Sequence, residues 1–213
     1  MSVAAKICGL LTPEAVAAAT AGGARFVGFV FFPPSPRNLS PAQAAPLIRG
    51  VPAGVTRVGV FVDPDDDLLK RVLAAAPLDL IQLHGEETPD RVAQIKQRFG
   101  KPTMKAIKIA GESDLAAAPR YYEVADWLMF DARPPKDATR PGGNALAFDW
   151  QLLRARTWPL PWMLSGGLTA VNVADAARVS RATVVDVSSG VESAPGVKDL
   201  AKIRAFLAAV GTL

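Results

Sequence analysis

The chain holds one cysteine and one histidine in 213 residues. One cysteine excludes an internal disulfide, so a reducing, cytoplasmic setting is the default expectation. One histidine excludes a metal site built on two or three imidazoles. A single Cys with a single His cannot assemble the usual Cys/His zinc site either, so no metal is expected. No apolar run approaches the length that spans a membrane. The N-terminus is alanine-rich, but Lys6, Pro13 and Glu14 interrupt any apolar signal segment and no basic stretch precedes it. The first strand-to-helix turn, CGLLTP (8–13), lacks the G-x-G-x-x-G of a dinucleotide-binding fold. There is no low-complexity linker, and the length suits one core, so residues 1–213 are read as a single domain.

Charge of neither sign dominates. Lys and Arg number 24 against 20 Asp and Glu, a formal net charge of +4. The densest basic run, KQRFGKPTMKAIK (96–108), reads as the solvated face of one helix and the strand after it. The basic residues are otherwise spread out. No nucleic-acid partner is expected, and a modest positive field suits an anionic small molecule better.

What is present is alternation. Eight apolar, β-rich runs are read as strands: 3–8, 26–31, 56–62, 78–83, 103–109, 126–130, 161–165 and 183–187. Helical segments stand between them. Thr12-Pro13, Ser40-Pro41 and Thr88-Pro89 each place a capping hydroxyl before a proline at the first helical position. Pro46 is expected to limit or distort the second helix. A short helix is expected over ESDLAAAPRYYE (112–123). Eight βα units with continuous apolar strands imply a parallel sheet covered by helices. The expected fold is α/β, a single-domain (β/α)8 TIM barrel. The alternative is an open doubly wound sheet. One long connection, 132–147, is rich in Pro and Gly and is a lid or binding-loop candidate.

In such a barrel the chemistry gathers where the strands end. The strand ends here carry Cys8-Gly9, Gln82-Leu83-His84-Gly85, Asp131, Ser165-Gly166-Gly167 and Asp186-Val187-Ser188-Ser189-Gly190, with Arg37 in the loop after strand two. Alternation puts Lys6 with Cys8, Gln82 with His84, Met129 with Asp131, and Asp186 with Ser188 on shared faces. Closure would set strand eight beside strand one, where Lys6 and Asp186 can pair and a cation can lower the Cys8 thiol. LSGGL (164–168) and VSSGVE (187–192) fall in the two loops where barrels often cradle phosphate. Each residue taken singly has a plainer reading: Cys8 as a small core residue, His84 as a satisfied half-buried histidine, Arg37 as a surface group. Their collection at one end of the barrel favours a site.

The motifs KICG (6–9), GFVFFPPSPR (28–37), IQLHG (81–85), the aspartate of MFDA (129–132), LSGGL (164–168) and VDVSSGVES…GVKD (185–199) together resemble the phosphoribosylanthranilate isomerase family of tryptophan biosynthesis. The resemblance spans nearly the whole chain. It implies a cofactor-free Amadori rearrangement of N-(5-phosphoribosyl)anthranilate to 1-(o-carboxyphenylamino)-1-deoxyribulose 5-phosphate. It further implies Cys8 as general base, Asp131 as general acid and Arg37 as receiver of the anthranilate carboxylate. Gly166, Gly167, Ser188, Ser189 and Gly190 then hold the phosphate, and His84 and Asp186 line the site. Such chemistry asks that burial raise the Asp131 carboxyl and that the Cys8 thiol fall toward neutrality. Where the family carries GG-[ST]-G before FDW, this chain has GGNALAFDW (142–150), with Asn144 and Ala145. Implied partners are a small phosphosugar and no membrane, with the chain a monomer or homodimer. Among other phosphosugar barrels, the pentose-phosphate epimerases use several metal-binding histidines, and indole-glycerol-phosphate synthase uses a different Lys/Glu set. A non-catalytic phosphate-binding module is the alternative of another class.

Overall fold

The computed structural model describes residues 2–133 and 147–213. The candidate lid over 132–147 therefore lies, apart from its ends, outside the described residues, as do Asn144 and Ala145. Eight parallel strands close into a barrel: β1 (Ala4–Cys8), β2 (Phe26–Phe31), β3 (Thr56–Phe61), β4 (Leu80–Leu83), β5 (Thr103–Ile109), β6 (Trp127–Ala132), β7 (Trp162–Leu164) and β8 (Val184–Val187). β8 pairs in parallel with β1, setting Asp186 opposite Lys6 and Val187 opposite Ile7. That pairing excludes the open sheet. β6 runs past the expected end at Phe130 to Ala132, so Asp131 lies within the strand, on the face it shares with Met129.

The helices start where the sequence says they should. Thr12, Ser40 and Thr88 each accept a hydrogen bond from the backbone N–H three residues on, opening α1 (Pro13–Ala21), α2 (Pro41–Arg49) and α4 (Pro89–Phe99). Asp65 caps α3 (Asp66–Ala75), with Asp66 and Asp67 in its first turn. α5 (Gln151–Arg154), α6 (Val173–Ser180) and α7 (Leu200–Val210) complete the described α-helices. α2 passes through Pro46 and ends one turn later, so the proline limits the helix without breaking it.

Two elements differ from expectation. Residues Glu112–Tyr121 form a 3-10 helix instead of an α-helix. Pro119 has no N–H to give, and Asp114 turns back to accept from the N–H of Ala110 and Gly111. After β8 the chain makes a 3-10 turn (Ser189–Val191) and an antiparallel hairpin, β9 (Glu192–Ala194) with β10 (Val197–Lys198), before α7.

Side-chain parity divides the apolar residues into two layers. Cys8, Val30, Val58, Val60, Leu80, Met104, Ala106, Met129, Met163 and Val184 fill the barrel interior. Ile7, Val27, Phe29, Phe61, Ile81 and Phe130 point outward and pack under the helices. Continuing the inward parity toward the C-terminal ends leads to Gln82, His84, Lys108, Asp131, Ser165, Asp186 and Ser188.

The basic run 96–108 is only half solvated. Lys96 and Arg98 ride on the partly exposed face of α4, where Lys96 bonds Asp126. Lys105, expected on that face, is buried: its ammonium donates to the Gly85 carbonyl at 2.7 Å and to Glu87 at 2.6 Å. A strand residue whose side chain turns into the layer under the helices cannot keep its charge wet, so it needs these partners. Among the described residues no helix is long and apolar enough to cross a membrane. No group of three or more His, Cys, Asp or Glu there is placed to hold a metal ion.

Candidate active site

The C-terminal mouth of the barrel collects the polar groups that alternation points inward. At its floor Lys6, fully buried, donates to Asp186 Oδ1 at 2.8 Å. Asp186 Oδ2 accepts from the Ser165 hydroxyl at 3.0 Å. The expected Lys6–Asp186 pair therefore forms, with Ser165 as a third member. Burial opposes the Lys6 charge most, but Asp186 and Cys8 together outweigh it and hold the ammonium above the ordinary lysine value.

Cys8 stands two residues above Lys6 and is 7% exposed. Its register partner on β2 is Gly28. A Cβ at Gly28 would lie 2.8 Å from Cys8 Sγ, so glycine there leaves the thiol its room. Burial pushes the Cys8 thiol up. Lys6 and Lys198 pull it down and Asp186 adds to the rise, leaving it above the ordinary thiol value. This corrects the expectation of a thiol lowered toward neutrality. Two ammonium groups, Lys6 paired with Asp186 and Lys198 paired with Glu192, do not offset burial of the thiol.

Across the mouth, His84 Nε2 lies 3.0 Å from Asp131 Oδ2, and both side chains are buried. Gln82, 1% exposed, brings its amide nitrogen to 2.8 Å from His84 Nδ1. Lys108 on β5 pairs in register with Asp131 and holds Glu86.

Arg37 is buried rather than a surface group. Its Nε and Nη2 each donate at 2.7 Å to the two oxygens of Glu192. Its stem runs over Gly9, whose φ of +78° and missing Cβ admit the Arg37 Cδ. Lys198 binds the same Glu192 at 2.7 Å and the Ser188 carbonyl at 2.8 Å. Burial pushes the Glu192 carboxyl up, but Arg37 and Lys198 outweigh it and hold it below the usual carboxylate value. The Ser188 hydroxyl donates to the Cys8 carbonyl at 3.1 Å, tying this network to β1.

The two glycine loops meet. The backbone at Gly190 sits so close to the Leu168 carbonyl that a Cβ would lie 1.9 Å from its oxygen. Gly166 and Gly167 both have positive φ, at +96° and +65°, and a Cβ on Gly166 would strike the Ala132 backbone nitrogen. Their N–H groups donate to no described residue. Ser188, Ser189 and Gly190, in the loop that meets Leu168, stand half-buried.

All the residues singled out in the sequence thus reach one end of the barrel. Sequence reasoning gave no role to Glu192, Lys198, Gly28 or Ser165. Glu192 and Lys198 do stand inside the GVES…GVKD motif, but their partners include Arg37 and Ser188, and the separation of 155 positions between Arg37 and Glu192 hides that pairing.

Fold and site together define a (β/α)8-barrel protein with buried Lys6–Asp186 and His84–Asp131 pairs and meeting glycine loops at its C-terminal mouth. Residues 5–209 match the family described as N-(5'phosphoribosyl)anthranilate (PRA) isomerase, and the chain belongs to that family. It is 58% identical over 214 residues to the N-(5'-phosphoribosyl)anthranilate isomerase of Rhodospirillum centenum, covering 100% of both chains. It is 57% identical to that of Paramagnetospirillum magneticum, covering 98% of this chain and 97% of that one. Among solved structures, phosphoribosyl anthranilate isomerase from Thermotoga maritima aligns with a TM-score of 0.89 and 37% identity, covering 99% of this chain and 100% of that one. A phosphoribosyl anthranilate isomerase in complex with reduced 1-(o-carboxyphenylamino)-1-deoxyribulose 5-phosphate aligns with a TM-score of 0.84 and 36% identity over 99% and 100%.

Proposed function

We propose that this protein converts N-(5'-phosphoribosyl)anthranilate to 1-(o-carboxyphenylamino)-1-deoxyribulose 5-phosphate, with Cys8 as base and Asp131 as acid. The observation that carries the reading is the placement of both groups on the inward face at the same end of the barrel, in a chain of this family. Asp131 gives a proton to the furanose ring oxygen as the C1–O bond breaks. The anilino nitrogen lone pair then forms the C1=N bond of a cationic Schiff base. Cys8, as the thiolate left once its own proton has gone to solvent, takes the proton from C2; the C–H electrons form C1=C2, and the C=N electrons return to nitrogen. The resulting enolamine becomes the ketone when C1 is protonated and the C2 hydroxyl loses its proton.

Burial holds the thiol above its ordinary value in the free protein, and a cation forming beside it favours the thiolate. The Schiff-base cation forms next to Cys8 and adds a positive charge that Lys6, already paired with Asp186, does not supply. The base is thereby activated at the step that uses it. Arg37 has Nε and one Nη2 hydrogen committed to Glu192, so it meets the anthranilate carboxylate through its other edge, Nη1 and the second Nη2 hydrogen. The N–H groups of the 166–167 and 188–190 turns take the phosphate. Holding both ends fixes the ribose across the mouth.

The test is the fluorescence change when the purified protein is added to N-(5'-phosphoribosyl)anthranilate. Wild type gives turnover. Cys8→Ala and Asp131→Asn fold as wild type by circular dichroism and lose about 10²–10⁴-fold in kcat, the usual weight of a general acid or base. A Cys8→Ala protein with wild-type kcat sinks the base assignment.

A further inference from the structure

Gln82 is a buried polar residue of the barrel interior, next to His84, to which the chemistry above gives no part. It is 1% exposed, and its register partners are Val60 on β3 and Met104 on β5. A purely structural position there would be apolar. Its amide Nε2 uses one hydrogen on His84 Nδ1 at 2.8 Å and faces Met129 Sδ at 3.3 Å with the other. Nδ1 is then an acceptor, so the neutral ring carries its proton on Nε2 and donates it to Asp131 Oδ2 at 3.0 Å. In this arrangement Gln82 Oε1 is buried with no partner. An orphaned buried acceptor is costly and calls for an explanation.

Rotating the amide by half a turn exchanges this orphan for unpaired N–H donors, so that orientation is held only when Nδ1 offers a proton. Oε1 then faces Nδ1 and demands a proton there. With Nδ1 protonated, a second proton can sit between Nε2 and Oδ2, which is one more than the first arrangement holds. The two amide orientations therefore match two protonation states of the His84–Asp131 pair, differing by one proton taken from solvent. We propose that Gln82 is a positioning residue: its amide fixes His84 as the Nε2–H tautomer against an ionised Asp131, and turns over when the pair takes up the proton that Asp131 delivers to the sugar ring oxygen. This rests on the assignment of Asp131 as the acid. Charged and titratable groups on the elements around Gln82, His84 and Asp131 are Lys108 on β5, which holds Glu86; Lys105 and Glu87, which hold Gly85 beside His84; Asp63 after β3, which binds the Glu86 N–H; and Lys6, Cys8 and Asp186 on β1 and β8.

His84 is the only histidine, so ¹⁵N-histidine labelling gives one pair of ring signals with no assignment problem. Above the ring's titration, wild type should show a protonated Nε2 and a bare Nδ1. On acidification both nitrogens become protonated, and the Gln82 side-chain amide signals move at the same midpoint. Gln82→Leu, which keeps the bulk, should give a mixture of tautomers and a displaced midpoint. Its kcat should fall about tenfold with KM within about twofold, since a group acting through another tunes the chemical step. Gln82→Glu, which presents only acceptors to Nδ1, should give an Nδ1–H ring with a raised midpoint. A wild-type neutral ring protonated on Nδ1 overturns the proposal, whether or not any variant folds. So does a Gln82→Leu protein with the wild-type tautomer and pH profile. These spectra need no substrate: if the protein fails to turn over phosphoribosylanthranilate, the isomerase reading falls while the tautomer result stands or falls by itself.

Discussion

Gly28→Ala is the sharpest perturbation of the thiol that leaves every polar group in place. Gly28 lies beside Cys8 on β2, and an added Cβ would sit 2.8 Å from Sγ, 3.2 Å from the Cys8 Cα and 3.3 Å from its Cβ. Ordinary heavy-atom contact is about 3.5–4.0 Å, so the thiol must move by about 1 Å or change rotamer. Both residues sit in a closed barrel whose strands cannot separate freely. The overpacking should cost about 1–3 kcal/mol of stability, read as a shift in urea midpoint. A displacement of about 1 Å at a reacting atom costs on the order of 10²-fold in rate, so kcat should fall by about that factor with KM little changed. Gly59→Ala is the control. Its Cβ would strike Leu78 and Phe61 in the outer layer, 2.4 and 2.9 Å away, so it should lose comparable stability and keep its kcat. If Gly28→Ala keeps kcat within about threefold of wild type while losing that stability, the thiol's position does not limit turnover and the base assignment loses its geometric support.

Lys6→Met should cost about 3–5 kcal/mol in urea unfolding because it strands Asp186, and Lys6→Met with Asp186→Leu should recover much of that; strict additivity of the two would refute the pairing. Lys6 is held above its ordinary value, so the stability of the pair is complete below about pH 10 and is lost as pH rises through the folded value; urea midpoints on the alkaline side should fall, and less steeply in the double variant. Glu192 is held below its ordinary value, so its contribution is present above about pH 4.3 and disappears as pH falls through the folded value. Glu192→Gln should therefore flatten the acid limb of stability. By loosening Arg37 it should also raise KM more than it lowers kcat, and an unchanged KM would detach Arg37 from substrate binding.

The features legible in the sequence are those set within a few residues. The three hydroxyl-Pro helix starts are local: the capping oxygen and the N–H it satisfies are three residues apart. Strand parity is local as well. The placement of Lys6 with Cys8, Gln82 with His84 and Asp186 with Ser188 on inward faces follows from alternation once the strands are placed. Even the Lys6–Asp186 pair, 180 residues apart in the chain, could be expected, because closure of an eight-stranded barrel makes its first and last strands neighbours. What only the tertiary structure decided are balances and partnerships without local cause. Arg37 reads as a turn residue until Glu192, in a hairpin the alternation does not announce, takes two of its hydrogens. Lys105 reads as solvated until the layer beneath the helices encloses it with Glu87. The Cys8 thiol rises rather than falls, because its proton affinity sums complete burial against charges from β1, β8 and the β10 lysine, a sum over positions in space that sequence order does not carry.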